Sequence, residues 1–155
     1  MVVQSPNSIT PLPGRVVSEQ EEMSMAPLVT VDTKPVEEAI RRIMPAFPEV
    51  AGVYLFGSVL GPCRPDSDID LGLVTGTCMP ASASPLERER LEARVAMALG
   101  RWEGHGVDAV VLDAHDPIFS FKVISSGRLV YTGNKERVTD FIEVVAQGYR
   151  QAYPR

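Results

Sequence analysis

Two aspartates one residue apart, Asp68 and Asp70, are the side chains of this sequence best suited to chemistry. They sit in the run Asp68-Ile69-Asp70-Leu71-Gly72-Leu73-Val74, which reads as a strand. Side chains alternate along a strand, so both carboxylates leave from one face. Such neighbours repel each other unless a cation lies between them, and oxygen-only ligands of this kind suit Mg²⁺ together with substrate phosphates. Upstream, Val53-Tyr54-Leu55-Phe56 reads as a second strand and ends in Gly57-Ser58. A glycine there permits a sharp turn close to a ligand, and the amides beyond it can hold a phosphate. Ser58 adds a hydroxyl, and Arg64 is the only cation in the loop that follows. A phosphate cradle and a carboxylate pair, nine residues apart, describe a site for a nucleoside triphosphate. The plainer alternative is an ordinary turn, a solvated strand end and an arginine in water.

Several elements must position this pair. A helix is expected from near Thr33, with Pro35 in its first turn and Val36, Ala39, Ile40 and Ile43 on one stripe. Pro45 ends it, leaving Arg41 and Arg42 on the solvated side. Strands are expected over residues 52–56 and 68–74, joined by a rigid loop containing Gly61, Pro62 and Pro65. Ser58 can alternatively cap the short helix that should follow Gly57. Residues 75–84 read as a polar, small-residue loop, expected to order only with a partner. From Pro85 a helix buries Leu91, Val95, Ala98, Leu99 and Trp102, and Arg88 can pair with Glu92 on its surface. A third strand over residues 107–112 follows that single helical crossover, which places Asp108 well to join Asp68 and Asp70. Asp113 is a weaker alternative for that role. His105 and His115 flank this strand without ligand spacing and read as surface or loop residues. Asp116-Pro117 starts a short helix that carries Lys122 and ends at Gly127 as its C′ residue. A strand over residues 128–131 and a helix over 135–149 close the chain. The helix has Val138, Phe141, Ile142, Val145, Ala146 and Tyr149 on its apolar stripe, which reads as core. The fold class expected is an α/β (α+β) domain, a mixed sheet of about four strands flanked by helices.

Composition sets the limits. With 155 residues, 45% hydrophobic and 23% charged, one domain with a single core is expected. Residues 1–32 are rich in Pro, Ser and Glu, lack helical or strand period, and read as a flexible extension. Arg15 against Glu19, Glu21, Glu22 and Asp32 gives that segment −3 of the total −5. The remainder, near balance, argues against a protein that tracks duplex nucleic acid, which needs a basic stripe. No run of eighteen apolar residues supports a membrane span, and the N-terminus lacks the features of a secretory signal. Cys63 and Cys78 are too few for a disulfide framework, so a reduced, cytoplasmic setting fits best. Cys63 has no neighbouring His or Lys in sequence to activate it and reads as passive.

Gly57-Ser58, nine residues, then Asp68-Ile69-Asp70-Leu71 resembles the signature of the DNA polymerase β-like nucleotidyltransferase superfamily. Many relatives have ten residues in that interval. The resemblance covers roughly residues 36–131, and Arg128-Leu129-Val130-Tyr131 is similar to the ending common among minimal nucleotidyltransferases, the MNT antitoxins of HEPN-type RNase toxins. It implies the nucleotidyltransferase fold over residues 33–155, with a C-terminal helix over 134–150. It also implies a third carboxylate from a later strand, matched by Asp108. Asp68, Asp70 and Asp108 would then be catalytic and hold two Mg²⁺ ions, with Gly57, Ser58 and Arg64 on the nucleotide. The implied activity is transfer of AMP from ATP to a protein hydroxyl, a tyrosine of a HEPN partner. A binding-only antitoxin and an antibiotic adenylyltransferase are the alternatives. The second usually carries more helical structure than the one helix left here after Tyr131.

Overall fold

The computed structural model describes residues 27–76, 79 and 83–153. Four strands form one mixed sheet in the order β3-β2-β1-β4. They are β1 (Val50–Phe56), β2 (Ile69–Thr75), β3 (Val107–Val111) and β4 (Arg128–Thr132). Four α-helices accompany them among the described residues: α1 (Lys34–Ile43), α2 (Pro85–Leu99), α3 (Pro117–Ser126) and α4 (Lys135–Ala152). β1 runs antiparallel to both β2 and β4, whereas β2 and β3 are parallel and joined by the α2 crossover. This is the mixed four-stranded α/β sheet that the sequence predicts.

Alternation along the strands sorts the core into two layers. Val53, Leu55, Ile69, Leu71 and Leu73 turn to one face and join Ile40 of α1 with Leu91, Val95 and Leu99 of α2. Tyr54, Val74 and Leu112 turn to the other and join Val123 of α3 and Val138 of α4. Gly72 belongs to this second face: a side chain there would meet Leu112 at 3.0 Å. Asp70 has the same parity as Gly72 and Val74, so it shares the face of α3 and α4.

Several expectations shift. β1 begins two residues earlier than expected, and β2 starts at Ile69, leaving Asp68 just outside it. Ala98 is exposed rather than buried, and Trp102 lies beyond α2, in a tight bridge with His105. Arg88 does not pair with Glu92. It reaches Asp113 at 3.1 Å, while Glu92 accepts the Val111 amide at 2.7 Å. The α2 crossover packs on β3, which brings both partners closer than the surface of the helix does. Ser84 starts α2 with a reciprocal capping box to Glu87. Gly127 does end α3, but at φ −87° rather than in the left-handed region. Its requirement is proximity: a Cβ there would lie 2.9 Å from the Leu55 carbonyl oxygen and 2.5 Å from that of Val123.

Val29, in the segment read as an extension, exchanges backbone hydrogen bonds of 2.8 and 2.9 Å with Cys63. Residues 1–26 of that segment lie outside the described residues, as do Cys78 and half of the 75–84 loop. Cys63 is buried and makes no disulfide. No helix among the described residues is long and apolar enough to cross a membrane.

Candidate active site

Strand register decides the site. β1 places Phe56 opposite Asp70, and β3 places Asp108 opposite Asp70 in parallel register. Asp70 and Asp108 therefore stand side by side on one face, at the end of the sheet where β1 finishes and β2 and β3 begin. Asp68 is exposed just before β2, and the Ile69 amide donates to the Gly106 carbonyl at 2.8 Å, locking this strand start to the approach of β3. Burial, then the charges of Asp108 and Asp68, push the Asp70 carboxyl up to about 6. Asp70 thus lies within reach of the charges of both other aspartates.

Gly57 completes the geometry. It has φ +85°, a left-handed conformation that glycine adopts at little cost, and a Cβ at this position would collide with the Asp70 carboxylate. The turn over Ser58–Leu60 follows directly, closed by Leu60 N–H to the Gly57 carbonyl at 3.2 Å. Ser58 is exposed and does not cap this turn, whose N-cap position is Gly57 itself. The first amides of such a turn have no partner within it.

Arg64 is placed less directly. Both Asp66 carboxylate oxygens accept from it, at 2.9 and 2.6 Å. Together with Ser58, Cys63 and Ser67 it lines a hollow of about 490 Å³ that none of the three aspartates lines. Lys122 is exposed on α3, away from these residues, and borders a separate hollow with Phe121 and Tyr149. Asp113, the weaker candidate, is taken by Arg88 and by the amide of His115 at 2.8 Å.

The sequence reading misses the burial of one residue. His105 does lie in a loop, but it is buried rather than at the surface, and its Nδ1 lies 2.6 Å from the Ser67 carbonyl oxygen. A carbonyl only accepts, so this nitrogen carries the proton. The bond ties the residue preceding Asp68 to the 102–105 turn, where Glu103 (φ +50°) and Gly104 (φ +85°) are both left-handed. Arg101 is a second residue the sequence reading passes over. A Cβ at Gly106 would be 3.2 Å from Asp68 Oδ1 and 3.4 Å from Arg101 Nη1, so the guanidinium approaches the first aspartate without forming an ion pair with it. The Gly-His-Gly tripeptide before β3 is the only local signal for either.

Among the described residues, no group of three His, Cys, Asp or Glu side chains is gathered closely enough to hold a metal by itself. The donor set nevertheless fits Mg²⁺, which takes one or two carboxylates and completes its shell with water and substrate phosphates. Asp70, held among like charges, is the group a cation would relieve.

The family model described as "Polymerase beta, Nucleotidyltransferase" matches residues 38–136, well over half of the chain. The chain belongs to that nucleotidyltransferase family. The matched span contains Gly57, Ser58, all three aspartates and the whole sheet. Among solved structures, it is similar to a chain from the tri-AMPylated Shewanella oneidensis HEPN toxin in complex with MNT antitoxin. The identity is 22% and the TM-score 0.50, over 78% of this chain and 94% of that one. A chain of the MntA–HepT toxin–antitoxin structure follows, at 18% identity and TM-score 0.47 over 77% and 93% of the two chains. A toxin–antitoxin structure with AMP-PNP gives 20% identity and TM-score 0.48 over 75% and 93%. At these identities the likeness is one of fold. No curated protein sequence matches this nucleotidyltransferase.

Proposed function

We infer that this nucleotidyltransferase moves AMP from ATP to a protein hydroxyl, a tyrosine of a HEPN-type RNase toxin, and thereby acts as its antitoxin in the cytoplasm. The observation that carries the reading is the register of Asp70 with Asp108 beside the left-handed Gly57. It brings two carboxylates and the Gly57-Ser58 turn, whose amides suit a phosphate, to one corner of the sheet. Residues 33–155 are taken as the transferase unit, including the helix over 134–150. Support for the acceptor comes from the neighbouring complex, in which a HEPN toxin carries AMP beside an MNT antitoxin.

In this reading Asp68, Asp70 and Asp108 would hold two Mg²⁺ ions, which when bound would supply acidification of the acceptor hydroxyl and charge compensation for pyrophosphate. The chain's own residues orient and exchange protons. The amides after Gly57 and the Ser58 hydroxyl grip the triphosphate, and Arg64 can reach the same phosphates by leaving Asp66. Asp108 is exposed at the open side of the pair, where it accepts the proton of the incoming hydroxyl. Asp70, half-buried beneath Gly57, keeps the donor phosphate in line.

Intact-mass measurement tests this. A HEPN-type RNase incubated with the protein, ATP and Mg²⁺ should gain the mass of one or more AMP groups, and should gain none with the Asp68→Ala/Asp70→Ala variant. A stable complex with no mass gain would overturn the transferase reading and leave neutralisation by binding alone. AMP transfer to an aminoglycoside-type small molecule, but not to the RNase, would move the acceptor to the antibiotic class.

A further inference from the structure

The far end of β2 and β3, remote from the aspartates, holds a second concentration of charge. A cavity of about 100 Å³ is lined there by Thr75, Arg88, Asp113, His115, Arg137 and Phe141, among others. These residues come from four places: the end of β2, the first half of α2, the β3–α3 loop and the start of α4.

The acidic member is fully engaged. One oxygen of Asp113 pairs with Arg88 at 3.1 Å and the other accepts the His115 amide at 2.8 Å. Its backbone carbonyl accepts the Ser120 hydroxyl at 2.8 Å, which fixes the loop. Burial raises the Asp113 carboxyl, but these bonds and the Arg88 charge outweigh it and hold the group below its usual range. Asp113 therefore offsets the Arg88 guanidinium, and no ion pair joins it to the second, Arg137. The Nε–H of Arg137 is buried and meets no acceptor. A buried donor without a partner is costly, and an ion from outside the chain is one way to satisfy it. The Nε–Nη edge of a guanidinium matches two oxygens of one oxyanion. The Thr75 hydroxyl and the His115 ring border the same cavity and can supply further donors. Its volume admits one tetrahedral group and is far too small for a nucleotide, whose sites run to ~300 Å³ or more.

We propose that the Arg88–His115–Arg137 cavity is a binding site for a single phosphate-sized oxyanion, separate from the nucleotide site. Its occupant joins the start of α4 to the β3–α3 loop, so it stiffens the helices that cover the carboxylate-bearing face. The same chemistry serves inorganic phosphate or the phosphoryl group of a phosphomonoester.

Calorimetric titration of the full chain with inorganic phosphate, in chelator and at constant ionic strength, tests the site, with O-phosphoserine as the second ligand. The expected result is saturable one-to-one binding, weakened at least ~10-fold by Arg137→Gln and changed less than ~2-fold by Arg64→Gln, since only the first guanidinium loses a paired edge. Matching affinity for both ligands assigns a site that accepts esters, and phosphate alone a site for the free ion. Absence of saturable binding, or equal binding by Arg137→Gln and the wild type, overturns the proposal. Should Arg137→Gln not fold, His115→Gln, at an exposed position, decides the same question by weakening phosphate binding or leaving it unchanged.

Discussion

Replacing Asp70 by asparagine should make the metal-free protein more stable while removing its activity. The Asp70 carboxyl is raised from 3.8 to about 6 by burial and by the charges of Asp108 and Asp68. A raised carboxyl is one the folded state prefers protonated. Its favourable contribution is complete below the unfolded value of 3.8 and is lost as pH climbs through about 6. At pH 8 the folded protein therefore carries the full cost of the ionised group. Each unit is worth ~1.4 kcal/mol, which gives an upper figure of ~3 kcal/mol. The side chain is partly in water, so screening reduces this to ~1–1.5 kcal/mol. Asparagine keeps the shape beside Gly57 without the charge. Urea unfolding in chelator should place Asp70→Asn about 1 kcal/mol above the wild type at pH 8, with most of that gain gone by pH 4. Added Mg²⁺ should reverse the order, stabilising the wild type and leaving the variant unmoved. An asparagine variant less stable than the wild type at pH 8, or equally stabilised by Mg²⁺, would refute the reasoning.

Other substitutions separate positioning from chemistry. Gly57→Ala forces a Cβ into the Asp70 carboxylate at a left-handed φ, and should cost ~2 kcal/mol in denaturant unfolding as well as transfer activity. His105→Ala leaves the Ser67 carbonyl without its donor and should cost ~1–3 kcal/mol, with transfer reduced through a looser Asp68. Asp108→Asn, at an exposed position, should unfold within ~0.5 kcal/mol of the wild type yet lose transfer by ~100-fold or more. Asp113→Asn should do the opposite, keeping transfer measured by mass while lowering the melting temperature at neutral pH. That loss should shrink as pH falls, because the Asp113 carboxyl is held below its usual range and its contribution fades on protonation.

The candidate site of this chain was written locally. Asp68 and Asp70, the Gly57-Ser58 turn and the single crossover to Asp108 lie in short stretches whose period and punctuation need no tertiary information. The order of strands and helices followed from the same patterns, and so did α4, whose stripe of Val138 and Val145 is indeed core. Partners were a different matter. Arg88 has Glu92 four residues away, the expected helical pair, yet β3 packs against α2 and offers Asp113 and the Val111 amide instead. His105 reads as a loop residue because nothing within its own segment covers it. Only the return of Ser67 to the same turn buries it. The raised Asp70 carboxyl likewise depends on which strand lies beside β2, a fact that no spacing states. Periodicity tells which way a side chain leaves its own backbone. What it meets there is decided by segments tens of residues away, and that part only the folded sheet supplies.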